Sequence, residues 1–177
     1  MPFALWPDAA EQRALAQAFG SVVAQAGGRV VPAEQLHLTL EFLGPVPPAA
    51  LAALEALGTG IALPDGAVLL DRIDWYRRAQ VLVAEPTRPA PGLHAAQAAL
   101  RKALSAQGFR VDARPFRPHV TLAREVLAPP PPAPAAGAAW RIAELALVES
   151  MTAPGGSRYT PLVRWRRDAG HADFGAH

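Results

Sequence analysis

Two stretches of this 177-residue chain share one frame: residues 36–40 read L-H-L-T-L and residues 118–122 read P-H-V-T-L. Alternating apolar and polar residues describe a half-buried strand, because successive strand side chains leave on opposite faces. His37 and Thr39 therefore share one face, with Leu38 and Leu40 behind them. His119 and Thr121 repeat this against Val120 and Leu122. One such frame is also the pattern of an ordinary surface strand. Two, in a chain with only five histidines, point to a pair of imidazoles and a pair of hydroxyls facing each other.

The flanking elements repeat as well. Pro2 to Trp6 reads as a short strand, and Asp8 followed by Glu11 is a capping-box start for a helix to about Ala26, stopped by Gly27 and Gly28. Arg29 to Val31 is a short strand, and Gln35 to Leu43 is the strand of the first frame, bounded by Pro32 and Gly44. Pro47 and Pro48 open a helix over Ala49 to Leu57, with Gly58 as its left-handed stop. Ala67 to Trp75 and Gln80 to Glu85 form a hairpin about Tyr76, Arg77 and Arg78.

In the second half, Gly92 to Ala106 is a helix with Leu93, Ala96, Leu100, Ala103 and Leu104 on one face, and Gly108 ends it. Arg117 to Arg124 is the strand of the second frame, and Trp140 to Met151 with Tyr159 to Trp165 makes a last hairpin about Gly155, Gly156 and Ser157. Residues 128–139, A-P-P-P-P-A-P-A-A-G-A-A, lack large apolar side chains and read as an exposed loop of polyproline II character. Residues 168–177 read as a frayed tail.

Helix, frame strand and further strands thus occur twice. The expected fold is α+β and bilobal: two similar lobes of antiparallel-rich sheet with outer helices around a central cleft, related by a pseudo-twofold axis, in a single domain over residues 1–177. The two frames would line the cleft.

Composition narrows the function classes. With 51% hydrophobic and 18% charged residues the chain suits a soluble globular protein. It has no cysteine, which excludes disulfides, thiolate metal sites and cysteine nucleophiles. No apolar run reaches the roughly 18 residues of a membrane span, and the start lacks a secretory pattern, so the expectation is a cytoplasmic protein with no membrane partner. Of the 17 basic residues only Lys102 is lysine, and guanidinium binds phosphate in a planar, bidentate way. Arg101, Lys102, Arg110, Arg114, Arg117 and Arg124 crowd the second frame, opposed locally by Asp112, which suits an anionic ligand or a solvated basic face.

Phosphoester cleavage by a paired acid and base fits these residue types. Imidazole titrates near pH 6.5, so one ring can be neutral and take a proton from attacking water while the other is protonated and supplies the leaving alkoxide. Threonine hydroxyls can donate to the non-bridging oxygens. No metal and no cofactor is called for. His94 falls on a helix and His171 and His177 in the tail, so a three-ligand zinc site would need distant parts to converge. Walker-type, Gly-x-Ser-x-Gly and His-Glu-x-x-His patterns are absent.

These motifs resemble the two-histidine (2H) phosphoesterases, and more closely the bacterial and archaeal RNA 2′,3′-cyclic phosphodiesterases, historically called 2′-5′ RNA ligases. The likeness runs from F-A-L-W-P-D through V-V-P-A-E-Q-L-H-L-T-L-E-F-L-G-P-V and F-R-P-H-V-T-L-A-R to L-V-E-S-M-T-A-P-G-G-S-R-Y-T-P-L. The resemblance implies hydrolysis of a 2′,3′-cyclic phosphate to a 2′-phosphomonoester, with His37 as proton donor, His119 as proton acceptor, and Thr39 and Thr121 on the phosphate. Spacing alone leaves the two histidines interchangeable. Arg124 matches a basic position of the family near the phosphate, although an offset of five from His119 points away on a regular strand.

Phe42, Trp75, Tyr76, Phe116 and Tyr159 are candidates for stacking a nucleobase, or are core aromatics. The implied partners are RNA 3′ ends bearing a 2′,3′-cyclic phosphate, or small cyclic nucleotides, bound by a monomer. The competing reading is a non-catalytic RNA or nucleotide module that only holds a phosphate in the same cleft.

Overall fold

The computed structural model describes residues 1–131, 137–153 and 156–167. Helix α1 (Ala9–Ala26) begins as its sequence dictates: the Asp8 carboxylate accepts from the backbone of Ala10 and Glu11, and Glu11 reaches back to the Asp8 N–H at 2.9 Å. Helix α2 spans Leu51–Thr59 and α3 spans Leu93–Ala106. The strands are β1 (Pro2–Leu5), β2 (Arg29–Val30), β3 (Leu38–Phe42), β4 (Ala67–Leu70) and β5 (Arg72–Tyr76). They continue as β6 (Val81–Glu85), β7 (Val120–Arg124), β8 (Ala138–Arg141), β9 (Glu144–Ala153) and β10 (Gly156–Arg166). No helix among the described residues is long and apolar enough to cross a membrane.

One antiparallel sheet runs in the order β10-β9-β1-β3-β7-β6-β5, so the two frame-bearing strands stand side by side at its middle. They are joined at Leu38 and Val120. Further along, β7 pairs instead with β2, and residues 32–37 loop out between β2 and β3. A separate two-stranded sheet joins β4 to β8.

Helices cover one face of the large sheet. Leu15, Phe19 and Val22 of α1 and Leu93, Leu100 and Leu104 of α3 pack with Phe3, Leu38, Leu40, Val120 and Leu122 in the main core. Each fully buried leucine is worth about 2 kcal/mol of burial free energy. The opposite face carries a smaller cluster of Ala4, Trp6, Ala146 and Val148 with Tyr159 packed against it. The histidine face is this uncovered one.

Two bulges set what that face displays. Register against β1 passes from Glu41 to Thr39 while β1 moves one residue, leaving Leu40 as the extra residue of β3. Against β6 it passes from Ala123 to Thr121, leaving Leu122 extra in β7. One added residue reverses the facing of everything beyond it. Consecutive burial of Leu40 with Glu41, and of Leu122 with Ala123, is the consequence. Phe42 and Arg124, each five residues past a histidine, are thereby returned to the histidine face.

Several expected boundaries move. Both histidines sit one residue ahead of their strands, because Gln35 ends a 3-10 turn (Ala33–Gln35) and Pro118 has no N–H for a ladder. The expected strand from Ala67 to Trp75 divides at Asp71, where β4 leaves to pair with β8 and β5 stays with β6. Trp140 to Met151 divides likewise into β8 and β9. Gly58 is no left-handed stop: α2 runs through it, and a Cβ there would lie 2.4 Å from the Trp165 ring. Of the Pro/Ala-rich loop, 128–131 has no regular structure, 132–136 lies outside the described residues, and Ala138 and Ala139 belong to β8 because β4 supplies ladder partners that need no large side chain. The tail from 168 and Gly155 of the last turn also lie outside the described residues.

Candidate active site

Each histidine is fixed through the same nitrogen. His37 Nδ1 lies 2.7 Å from the Gln35 carbonyl and His119 Nδ1 lies 2.8 Å from the Arg117 carbonyl, both two residues upstream. A carbonyl oxygen only accepts, so each ring carries its proton on Nδ1. Nε2 is left to accept a proton when the ring is neutral and to donate one when it is cationic. Thr39 and Thr121, half-buried, follow at the next position on the same face.

Aromatic rings wall the pair. Trp6 stacks on His37 with centroids 5.1 Å apart and planes 8° from parallel, and Tyr159 leans on the same imidazole at 4.8 Å. Tyr76 meets His119 edge-on at 5.4 Å. Arg124, on the strand that follows His119, reaches the ring that leans on His37: its Nη2 donates to the Tyr159 hydroxyl at 3.1 Å, with the guanidinium 5.9 Å from that ring.

Electrostatics act on both rings in one direction. Burial pushes His37 from 6.5 down to about 4, with the charges of Arg124 and His119 adding to it and the Gln35 carbonyl opposing. His119 is lowered too, by burial first and by Arg117 and Arg124, against the Arg117 carbonyl and the Glu85 carboxylate. The cleft therefore sets two neutral imidazoles beside a guanidinium. An anion bound between the rings shifts them back toward the protonated form.

The structure brings His37, His119, Thr39, Thr121, Arg124, Tyr76 and Tyr159 to one face, with exposed Phe42 at the position matching Arg124. Trp75 does not join as a stacking surface: its indole N–H donates to the Val126 carbonyl at 2.9 Å and its ring packs on the core. Phe116 likewise packs on the core, edge-on to His94 at 5.3 Å. Much of the arginine cluster is spent on carboxylates, most of them distant in sequence. Arg101 pairs with Glu41, Arg117 with Glu85 and Asp74, and Arg114 with nearby Asp112.

Trp6, Glu85 and the Arg117 carbonyl also belong to the site, and no motif in the chain marks them. Trp6 closes an apolar strand and Glu85 ends the run V-L-V-A-E, an acid where a buried strand would otherwise continue. Among the described residues no three His, Asp or Glu side chains group as a metal site would require.

Comparison with known proteins places this geometry in company. A family model described as the 2′-5′ RNA ligase superfamily matches residues 2–153. RNA 2′,3′-cyclic phosphodiesterase of Escherichia coli (strain K12) is 38% identical over 143 residues, 78% of this chain and 79% of that protein. RNA 2′,3′-cyclic phosphodiesterase of Thermus thermophilus is 35% identical over 160 residues, 78% of this chain and 75% of its own. The crystal structure of E. coli LigT complexed with 3′-AMP superposes with a TM-score of 0.82 at 31% identity, covering 93% of this chain and 95% of that one.

Proposed function

This chain belongs to the 2′-5′ RNA ligase superfamily, and we propose that it is an RNA 2′,3′-cyclic phosphodiesterase that opens the cyclic phosphate at an RNA 3′ end to a 2′-phosphomonoester. The observation that carries the reading is the matched anchoring of both imidazoles through Nδ1, which leaves two Nε2 atoms for the chemistry. Neutral His119 takes a proton from water as its oxygen attacks phosphorus. The bond from phosphorus to O3′ breaks, and His37, protonated once the anion is bound, gives its Nε2 proton to the departing oxygen. The product has a free 3′-hydroxyl, and proton exchange with solvent resets the two rings.

Thr39 and Thr121 donate to the non-bridging oxygens, and Arg124 holds charge that grows as the phosphorus becomes five-coordinate. Phe42, at the register position equivalent to Arg124, and Tyr159 offer stacking surfaces for the terminal base. The protein acts as a metal-independent monomer in the cytosol on RNA termini or small cyclic nucleotides; with an RNA 5′-hydroxyl in place of water, the same attack on phosphorus breaks the bond to O3′, His37 protonates that oxygen, and the two ends are joined through a 2′-5′ linkage.

The test is turnover of an RNA carrying a 2′,3′-cyclic phosphate in excess EDTA, with the product end identified. A 2′-monophosphate formed at undiminished rate is expected. A 3′-monophosphate would reverse the leaving-group assignment, loss of activity with chelator would overturn the metal-free mechanism, and no turnover at all would favour the phosphate-binding module.

A further inference from the structure

We propose that Glu85 is a positioning residue for His119, holding the imidazole in its working plane through Tyr76 and Arg117; this rests on the reading of His119 as the base. The Glu85 side chain closes β6 and is 2% exposed, yet it is not idle in the core. One carboxylate oxygen accepts from Arg72, and the other accepts from the Tyr76 hydroxyl and, at 3.2 Å, from Arg117 Nη2. Hairpin register explains the convergence, since Arg72 stands directly opposite Glu85 and Tyr76 lies further along the same face of β5.

Both groups held by that carboxylate touch the histidine. The Tyr76 ring abuts His119 edge-on at 5.4 Å, and the Arg117 carbonyl accepts from His119 Nδ1 at 2.8 Å. Arg117's guanidinium also lies 4.8 Å from the centre of the Tyr76 ring, so the two supports brace each other. The contacts form a closed circuit from carboxylate to phenol, imidazole, backbone carbonyl, guanidinium and back to the carboxylate. Breaking it at Glu85 unties the Tyr76 hydroxyl and leaves the Arg117 guanidinium only its 3.5 Å pairing with Asp74 and its contact with the Tyr76 ring.

Charge adds a second effect in the same place. His119 faces Arg117 and Arg124, two cations that disfavour its protonation, together with Tyr76 and His37. Asp74 partly occupies Arg117 at 3.5 Å, and Glu85 is the carboxylate whose field favours the protonated ring. Glu85 itself stays ionised: burial raises its pKa, but the hydrogen bonds from Tyr76 and Arg72 and the charges of Arg117 and Arg72 bring it net below the usual carboxylate range. A base flanked by two guanidinium groups keeps its basicity because this anion is present.

Three variants separate positioning from bulk stability: Glu85→Gln, which keeps shape and removes charge; Glu85→Asp, which keeps charge on a shorter stem; and Tyr76→Phe, which keeps the ring and removes its tether. For each, kcat, KM and their pH profiles are measured, with the His119 ring proton titrated by NMR. Glu85→Gln is expected to lower kcat by roughly tenfold to a hundredfold, the scale of a misplaced catalytic group, with KM little changed and His119 titrating at lower pH. Glu85→Asp restores the titration, and Tyr76→Phe lowers kcat while leaving the titration near its original place.

A folded Glu85→Gln protein with unaltered kcat and unaltered His119 titration would overturn the proposal. If that variant does not fold, full kcat in Tyr76→Phe would overturn it instead. Near-full turnover by His119→Ala would remove the base assignment alone, because the NMR titration reads the coupling between Glu85 and the ring without any turnover.

Discussion

Trp6 lies face to face with His37, the two ring planes 8° apart at a centroid distance of 5.1 Å. An imidazolium over an indole face gains about 0.5–2 kcal/mol that a neutral imidazole does not. For a group assigned to give up a proton, that difference raises the protonated population. Replacing Trp6 by leucine is therefore expected to push the His37 titration to lower pH and to cut kcat/KM by roughly threefold to tenfold, with phenylalanine intermediate. Trp6 is 5% exposed, so the leucine variant also loses stability, and only the NMR titration of His37 isolates the ring effect. A titration that does not move in either variant would refute it.

His37 also sets an acid limit on the fold. Its pKa falls from 6.5 to about 4 on burial, so between those values the unfolded chain binds a proton that the folded chain does not. Stability is then fully present above about pH 6.5, declines as pH falls toward 4, and levels off below, with a full range of about 3 kcal/mol from this group. His119, also lowered, acts in the same direction. Asp112, lowered to about 2 by its hydrogen bonds to Arg114, loses its contribution only below the normal carboxylate range. Urea midpoints from pH 8 to 4 in the parent and in His37→Gln should diverge in slope, the variant being the flatter; parallel curves would show that His37 is not the titrating group.

Anion binding should undo the same shift. A phosphate between the rings favours their protonated forms, so binding takes up a proton and tightens as pH falls from 7 toward 5. Calorimetry with sulfate, a tetrahedral anion that does not itself titrate in this range, repeated in buffers of different ionisation heat, measures that uptake at the rings. By the same linkage, the bell-shaped kcat profile, which reports the loaded enzyme, lies at higher pH than the kcat/KM profile, which reports the free one. Proton-neutral binding, or two superimposable profiles, would contradict the scheme.

How much of this was legible in the chain depends on the range of the cause. Capping at Asp8 and Glu11, the helical face of α3 and the alternation in both frames are local patterns, and the structure reproduces them. The bulges at Leu40 and Leu122 are not local: each arises from pairing with a partner strand, β1 or β6, distant in sequence. That is why Arg124 reads as pointing away from His119 by parity, while the folded strand turns it back. Trp6, Trp75 and Phe116 show the same limit, since nothing in their neighbours distinguishes a ring that walls the cleft from one that fills the core. Arg101 and Arg117 look free for a ligand only until Glu41 and Glu85 are brought beside them.

Glu41 supplies the contrast that tests this division between site and scaffold. The bulge at Leu40 turns its carboxylate away from the histidines to a position only 2% exposed, where it accepts from Gln97 Nε2 at 2.9 Å, Arg101 Nε at 2.9 Å and the Asp112 N–H at 2.8 Å. It ties α3 and the segment after it to the central sheet. Removing it unpairs the buried Gln97 amide and two part-buried donors, one of them a guanidinium, at a cost of about 1–3 kcal/mol. Glu41→Ala is therefore expected to lower the denaturation midpoint strongly while kcat, corrected for the folded fraction, stays within about twofold of the parent, since no contact of Glu41 reaches a reacting group. Glu85→Gln, with the same correction for folded fraction, should still lower kcat by roughly tenfold or more. Two buried glutamates on neighbouring halves of one sheet would then separate by experiment, and a large kcat loss in folded Glu41→Ala would show that the helix face and the histidine face are mechanically coupled.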